Sequence, residues 1–167
     1  MKKLVIVING AGGVGKDTLC DFAKENFKVF NISSITPIKE IATLCGWDGK
    51  KDDKSRKFLS DLKLLTVEYN DFPTAWALAR YREFLESDNE IMFVHIREPK
   101  EIEKFIRGTG GEAKALLVRG GGRMVKTAFG NSSDDDVENY EYDYYFVNDK
   151  SLDEAKADFI NFLKNMI

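Results

Sequence analysis

Short apolar runs alternate with stretches of helical spacing along the chain. Leu4-Val5-Ile6-Val7-Ile8 is continuous and rich in β-branched residues. That pattern suits a strand buried on both faces, as in a parallel sheet. Similar runs at 27–32, 91–96, 113–118 and 144–147 predict four more strands. Between them the apolar positions fall at helical intervals. Leu19, Phe22 and Ala23 mark a helix over 17–26, and Ile102, Phe105 and Ile106 one over 99–107. Ser151, with Glu154 three residues on, forms a capping box that opens a last helix over 151–167.

The stretch from 33 to 88 predicts several helices in succession. Ser33-Ser34 are candidate caps for a helix with Pro37 in its first turn, stopped near Gly46. A polar loop, 47–54, precedes a long helix to Asn70. Pro73 separates that helix from another reaching about Ser87. Five apolar strands alternating with helices imply an α/β fold with helices on both faces of a parallel sheet. We expect a single domain over 1–167, carrying a helical insertion at 33–88. The glycine-rich, then basic, then acidic segment 120–142 has little apolar periodicity and reads as a lid-like excursion.

The first strand runs into Asn9-Gly10-Ala11-Gly12-Gly13-Val14-Gly15-Lys16-Asp17-Thr18, which contains G-x-x-x-x-G-K. Between a buried strand and a helix, this spacing is that of a phosphate-binding loop. Glycines let successive backbone N–H groups wrap a polyphosphate. The helix N-terminus favours anions, and Lys16 adds a positive charge for the β- and γ-phosphates. The expected ligand is a nucleoside triphosphate, ATP, with Mg2+. Ser or Thr usually follows the lysine; here Asp17 does, with Thr18 next. These two are the candidate metal ligands.

The Gly-Lys-Asp-Thr loop resembles those of nucleoside monophosphate kinases. It is especially similar to bacterial and phage deoxynucleoside monophosphate kinases, and to animal phosphomevalonate kinase. The resemblance extends to Thr36-Pro37-Ile38-Lys39-Glu40, to Lys54-Ser55-Arg56-Lys57, to the segment His95 to Ile102, and to Asp143 to Asp149 with its Asn148 turn. It implies a three-layer P-loop NTPase fold with strand order 2-3-1-4-5, a small-molecule kinase activity, and a lid. The related kinases carry an acidic residue where this chain has His95; Asp17 and Asp61 are the candidates to supply that charge.

A phosphorylated acceptor brings its own charge to ATP, so arginines and lysines must converge between two anions. Arg97 and Arg119 follow predicted strands, Arg123 and Lys126 lie in the excursion, and Lys39 and Arg56 belong to the insertion. We therefore expect Lys16, Arg97, Arg119 and Arg123 to serve catalysis. Lys39, Arg56 and Arg97 are expected to hold the acceptor, and Asn148 to serve the nucleotide.

Composition narrows the alternatives. The 167 residues carry 25 basic and 28 acidic side chains, a net charge of −3, which gives no support for a nucleic-acid polymer as partner. The two cysteines, Cys20 and Cys45, have no zinc-type spacing. Segment 132–138 lacks the alternation and central glycine of a calcium loop. No Asn-Lys-x-Asp guanine signature or Asp-x-x-Gly motif is present, against a GTPase. The apolar run 4–8 is too short for a signal core or a membrane span. We expect a cytoplasmic monomer or homodimer. Tyrosines 140, 142, 144 and 145 suit either base stacking or the approach to a strand.

Overall fold

The computed structural model describes residues 2–120 and 137–167. Its centre is a parallel five-stranded sheet: β1 (Leu4–Asn9), β2 (Val29–Ser33), β3 (Ile91–His95), β4 (Lys114–Gly120) and β5 (Tyr144–Asn148). The spatial order is β2-β3-β1-β4-β5, the order expected from the resemblance. Among the described residues six helices connect or flank the strands. They are α1 (Lys16–Ala23), α2 (Thr36–Leu44), α3 (Asp53–Asn70), α4 (Phe72–Glu86), α5 (Pro99–Gly108) and α6 (Leu152–Met166).

The period-2 alternation of strand side chains divides the core. Val5 and Val7 of β1, with Met92 and Val94 of β3, pack against Ala77 and Phe84 of α4 and Ile102 and Phe105 of α5. Leu4, Ile6 and Ile8, with Ile91 and Phe93, face Leu19, Cys20 and Ala23 of α1 and Phe159 and Leu163 of α6. Every residue of β1 is buried, so its continuous apolar run is a consequence of two-sided burial.

Local signals set most helix ends. Ser151 caps α6, and the box with Glu154 is formed. The Ser33-Ser34 expectation is corrected. Ser33 ends β2, and the Ser34 N–H donates to the His95 carbonyl at 3.1 Å. The ladder claims these residues, and α2 starts at Thr36, after Ile35, with no side-chain cap. Asp52 caps α3, accepting from the Ser55 N–H at 2.8 Å. Asp71, at φ 53°, is the whole connection between α3 and α4. Pro73 then sits in the first turn of α4, where a missing N–H costs nothing. Among the described residues no helix is long and apolar enough to cross a membrane.

Candidate functional site

The phosphate loop leaves β1 at the carboxyl edge of the sheet and enters α1. Its shape rests on close backbone contacts. A Cβ on Gly10 would lie 2.5 Å from the Val118 carbonyl oxygen of β4. Gly13 and Gly15 have φ of 83° and 89°, the left-handed region that glycine enters without steric cost. Asn148, at the end of β5, donates its Nδ2 to the Val14 carbonyl at 2.8 Å. It thereby braces the loop from behind. Lys16 folds back and donates to the Gly10 carbonyl at 2.6 Å.

Asn9, fully buried at the end of β1, is a junction that the sequence reading left out. Its Oδ1 accepts from the Gly10 N–H at 2.9 Å, and its Nδ2 donates to the Arg97 carbonyl at 3.0 Å and to the Tyr142 hydroxyl at 2.9 Å. The Tyr142 O–H donates in turn to the Val137 carbonyl at 2.6 Å. One side chain therefore joins the phosphate loop, the turn after β3 and the segment that leads into β5. Burial pushes the Tyr142 phenol up to about 12, so it stays a donor at neutral pH. Its ring packs edge-on with those of Tyr140 and Tyr145.

A cleft of about 1790 Å3 extends from the loop toward α2, α3 and α4. It is walled by Gly12 to Thr18, by the end of β2, by one side of α3, and by the turn after β3. Nine wall residues are Lys or Arg and three are Asp or Glu, a strong local excess of positive charge in a chain of net charge −3. Lys39, Arg56 and Arg97 are among them, as are Lys16, Asp17 and Thr18. Arg56 lies 3.8 Å from Asp53 and is largely exposed.

Two expected residues face elsewhere. Arg119 makes a two-nitrogen contact with Glu138, at 3.3 and 3.0 Å, and its guanidinium lies over the Tyr145 ring; it is not a wall residue of the cleft. Asp61 pairs with Lys57 at 2.5 Å and also stays out of the cleft. Arg123 and Lys126 lie outside the described residues.

Several wall residues were missed. Lys63, nearly buried, pairs with Glu98, the residue that precedes α5. The two tie α3 to the turn that carries Arg97. Glu101 is 8% exposed; it accepts from the Thr74 hydroxyl and the Lys104 ammonium, both at 3.0 Å. A helical signal existed for Lys63. Arg56, Ser60, Lys63 and Val67 recur at intervals of three and four, one face of α3, and all four line the cleft.

His95 is the last residue of β3, beside Ile8 of β1 and Ser33 of β2. Its Nε2 lies 2.9 Å from Asn31 Oδ1 and 3.9 Å from Cys20 Sγ. It is a wall residue of the cleft. Burial lowers its pKa; Asp17 opposes this, while Lys16 and Arg97 reinforce it. The imidazole is therefore neutral at pH 7, and with Nε2 protonated it donates to Asn31. Burial, then Asp17, pushes the Cys20 thiol up to about 12, so it is inert.

Asp17 and Thr18 are exposed on the first turn of α1. Among the described residues no three His, Cys, Asp or Glu side chains converge on a metal site. Mg2+ bound to a triphosphate takes most of its oxygens from phosphate and water, with only one or two from protein. One carboxylate and one hydroxyl at the loop fit that need.

No family model matches the chain, and no curated protein does. Solved structures do resemble it. The tunicamycin resistance protein of Deinococcus radiodurans has a TM-score of 0.59 at 12% identity, over 97% of this chain and 96% of that one. A candidate kinase from Chloroflexus aurantiacus has a TM-score of 0.56 at 10% identity, over the full length of both. At these identities the likeness shows a shared α/β fold with the five-stranded 2-3-1-4-5 sheet.

Proposed function

We propose that this protein is an ATP-dependent phosphotransferase acting on a small phosphorylated acceptor, a nucleoside or deoxynucleoside monophosphate. One observation carries the reading: the cationic cleft starts at the phosphate loop and continues past Arg97 to Arg56 and Lys39. A triphosphate alone needs only the loop end. Cations reaching so far beyond it match a second anion. The candidate kinase among the similar structures accords with this.

In this reading the loop amides and Lys16 hold the β- and γ-phosphates. Asp17 and Thr18 would hold Mg2+, which supplies charge neutralisation between phosphate oxygens. Arg97 would stand between donor and acceptor, and Lys39 and Arg56 would bind the acceptor's phosphate. A phosphate oxygen is already ionised at neutral pH, so no strong base is needed at His95. Catalysis is then positioning and charge stabilisation. The helices α2, α3 and α4 would form the acceptor side; most of the expected lid, 120–142, lies outside the described residues.

A coupled ADP-release assay over ribo- and deoxynucleoside monophosphates tests the proposal. The expected result is turnover that requires both ATP and one or a few monophosphates. Intact ATP binding without acceptor-dependent turnover would sink it.

A further inference from the structure

The turn between β3 and α5 consists of Ile96, Arg97 and Glu98, and each is fixed by a different neighbour. Ile96 is buried in the core. The Arg97 carbonyl accepts from Asn9 of β1, and Arg97 itself is an exposed wall residue of the cleft. Glu98 is the N-cap of α5, yet its side chain makes no cap bond; it pairs with Lys63 of α3 instead. Two other ion pairs on α3, Lys57 with Asp61 and Arg56 with Asp53, join neighbours on the same helix and are largely exposed. The Lys63–Glu98 pair differs in both respects. It joins residues 35 apart in sequence, and its side chains are only 15% and 23% exposed. Desolvating two charges costs about as much as their attraction returns, so a buried pair is weak evidence of stabilisation. What this pair adds is geometry between two elements.

We infer that Lys63 and Glu98 act as a positioning pair, holding the Arg97 turn in a fixed place against α3, the helix that carries Arg56. This rests on the phosphotransferase reading above, in which Arg97 stands between donor and acceptor. Lys63 has a second effect, because both residues line the cleft: it neutralises a carboxylate where an anionic acceptor would bind. Removing Lys63 sets Glu98 against the acceptor's phosphate, whereas neutralising Glu98 releases a cation toward it. The two single substitutions therefore act oppositely on acceptor binding and alike on transfer.

The probe is the nucleoside monophosphate that supports most ADP release, with its affinity read by calorimetry and folding checked by thermal melting. Glu98→Gln should lower kcat by about tenfold or more, with the acceptor bound as tightly as in the wild type or more tightly. Lys63→Met should lower kcat to the same degree and weaken acceptor binding. Lys63→Arg keeps the charge and should retain most of the kcat. Lys63→Met/Glu98→Gln removes both charges, so it should fold even where a single substitution, which leaves one charge unpaired, does not. Its kcat should equal that of Glu98→Gln, because residues that act as one unit are not additive. An unchanged kcat in Glu98→Gln would overturn the inference while leaving phosphotransfer standing. So would a further fall on adding Lys63→Met to it, which would make Lys63 a direct ligand of the acceptor. A wild-type chain without acceptor-dependent ADP release would refute transfer itself, and the positioning role with it.

Discussion

The two sides of the cleft are made of different material. The loop side is backbone, fixed by neighbours on three strands: Val118 crowds Gly10, Asn148 braces Val14, and Asn9 holds Gly10. The other side is largely long side chains on α3, an 18-residue helix with no buried residue. A surface of amides at fixed positions suits a ligand that never changes, the triphosphate. A surface of lysines and arginines reads charge and adapts its shape. In the proposed phosphotransferase, rigid backbone and adaptable side chains would divide the work of holding a constant donor and choosing an acceptor.

Substitutions can break this contrast, beginning with the largest effect. Lys16→Ala removes the cation that the proposal assigns to the β- and γ-phosphates, and kcat/KM in the ADP-release assay should fall by on the order of 10²–10³-fold. Gly10→Ala forces a methyl against the Val118 carbonyl; chemical denaturation should report a loss of about 1–3 kcal/mol, together with weakened ATP binding. On the other side, Arg56→Ala should raise the acceptor KM by about tenfold and leave the ATP KM within twofold. An equal rise in both KM values would erase the proposed division between the sides.

The smallest expected effect concerns His95. Its folded-state pKa lies below the ordinary value because of burial. Between the two values the unfolded chain binds more protons, so stability increases with pH there. The contribution is complete above about pH 6.5 and declines as pH drops toward the folded value. Melting temperatures from pH 8 to 5.5 should show this decline, and His95→Gln should flatten it. A wild-type chain with no decline would mean that His95 is not held neutral.

The loop side was legible in the sequence because its determinants are local. A β-branched run, glycines at fixed spacing and a helical stretch occupy adjacent residues, and each has one main physical reading. Sheet order came from resemblance, since no short-range pattern encodes which strand lies beside which. The proposed acceptor side was only partly legible. Arg56, Lys39 and Arg97 reach the cleft, whereas Arg119 follows an equally good strand and turns to Glu138 and Tyr145. The direction of a long side chain depends on partners distant in sequence, and Glu138 lies 19 residues away. The Ser34 expectation failed because a parallel ladder outcompeted a helix cap for the same residue.

Asn9 has a consequence for energetics. Its carboxamide touches the loop that would hold the donor and the turn that bears Arg97. A shift at either end changes the geometry of one shared group. Any coupling free energy it transmits is a property of the ternary complex and belongs to neither ligand alone. Reciprocity then follows: whatever factor ATP imposes on the acceptor's dissociation constant, the acceptor imposes on that of ATP.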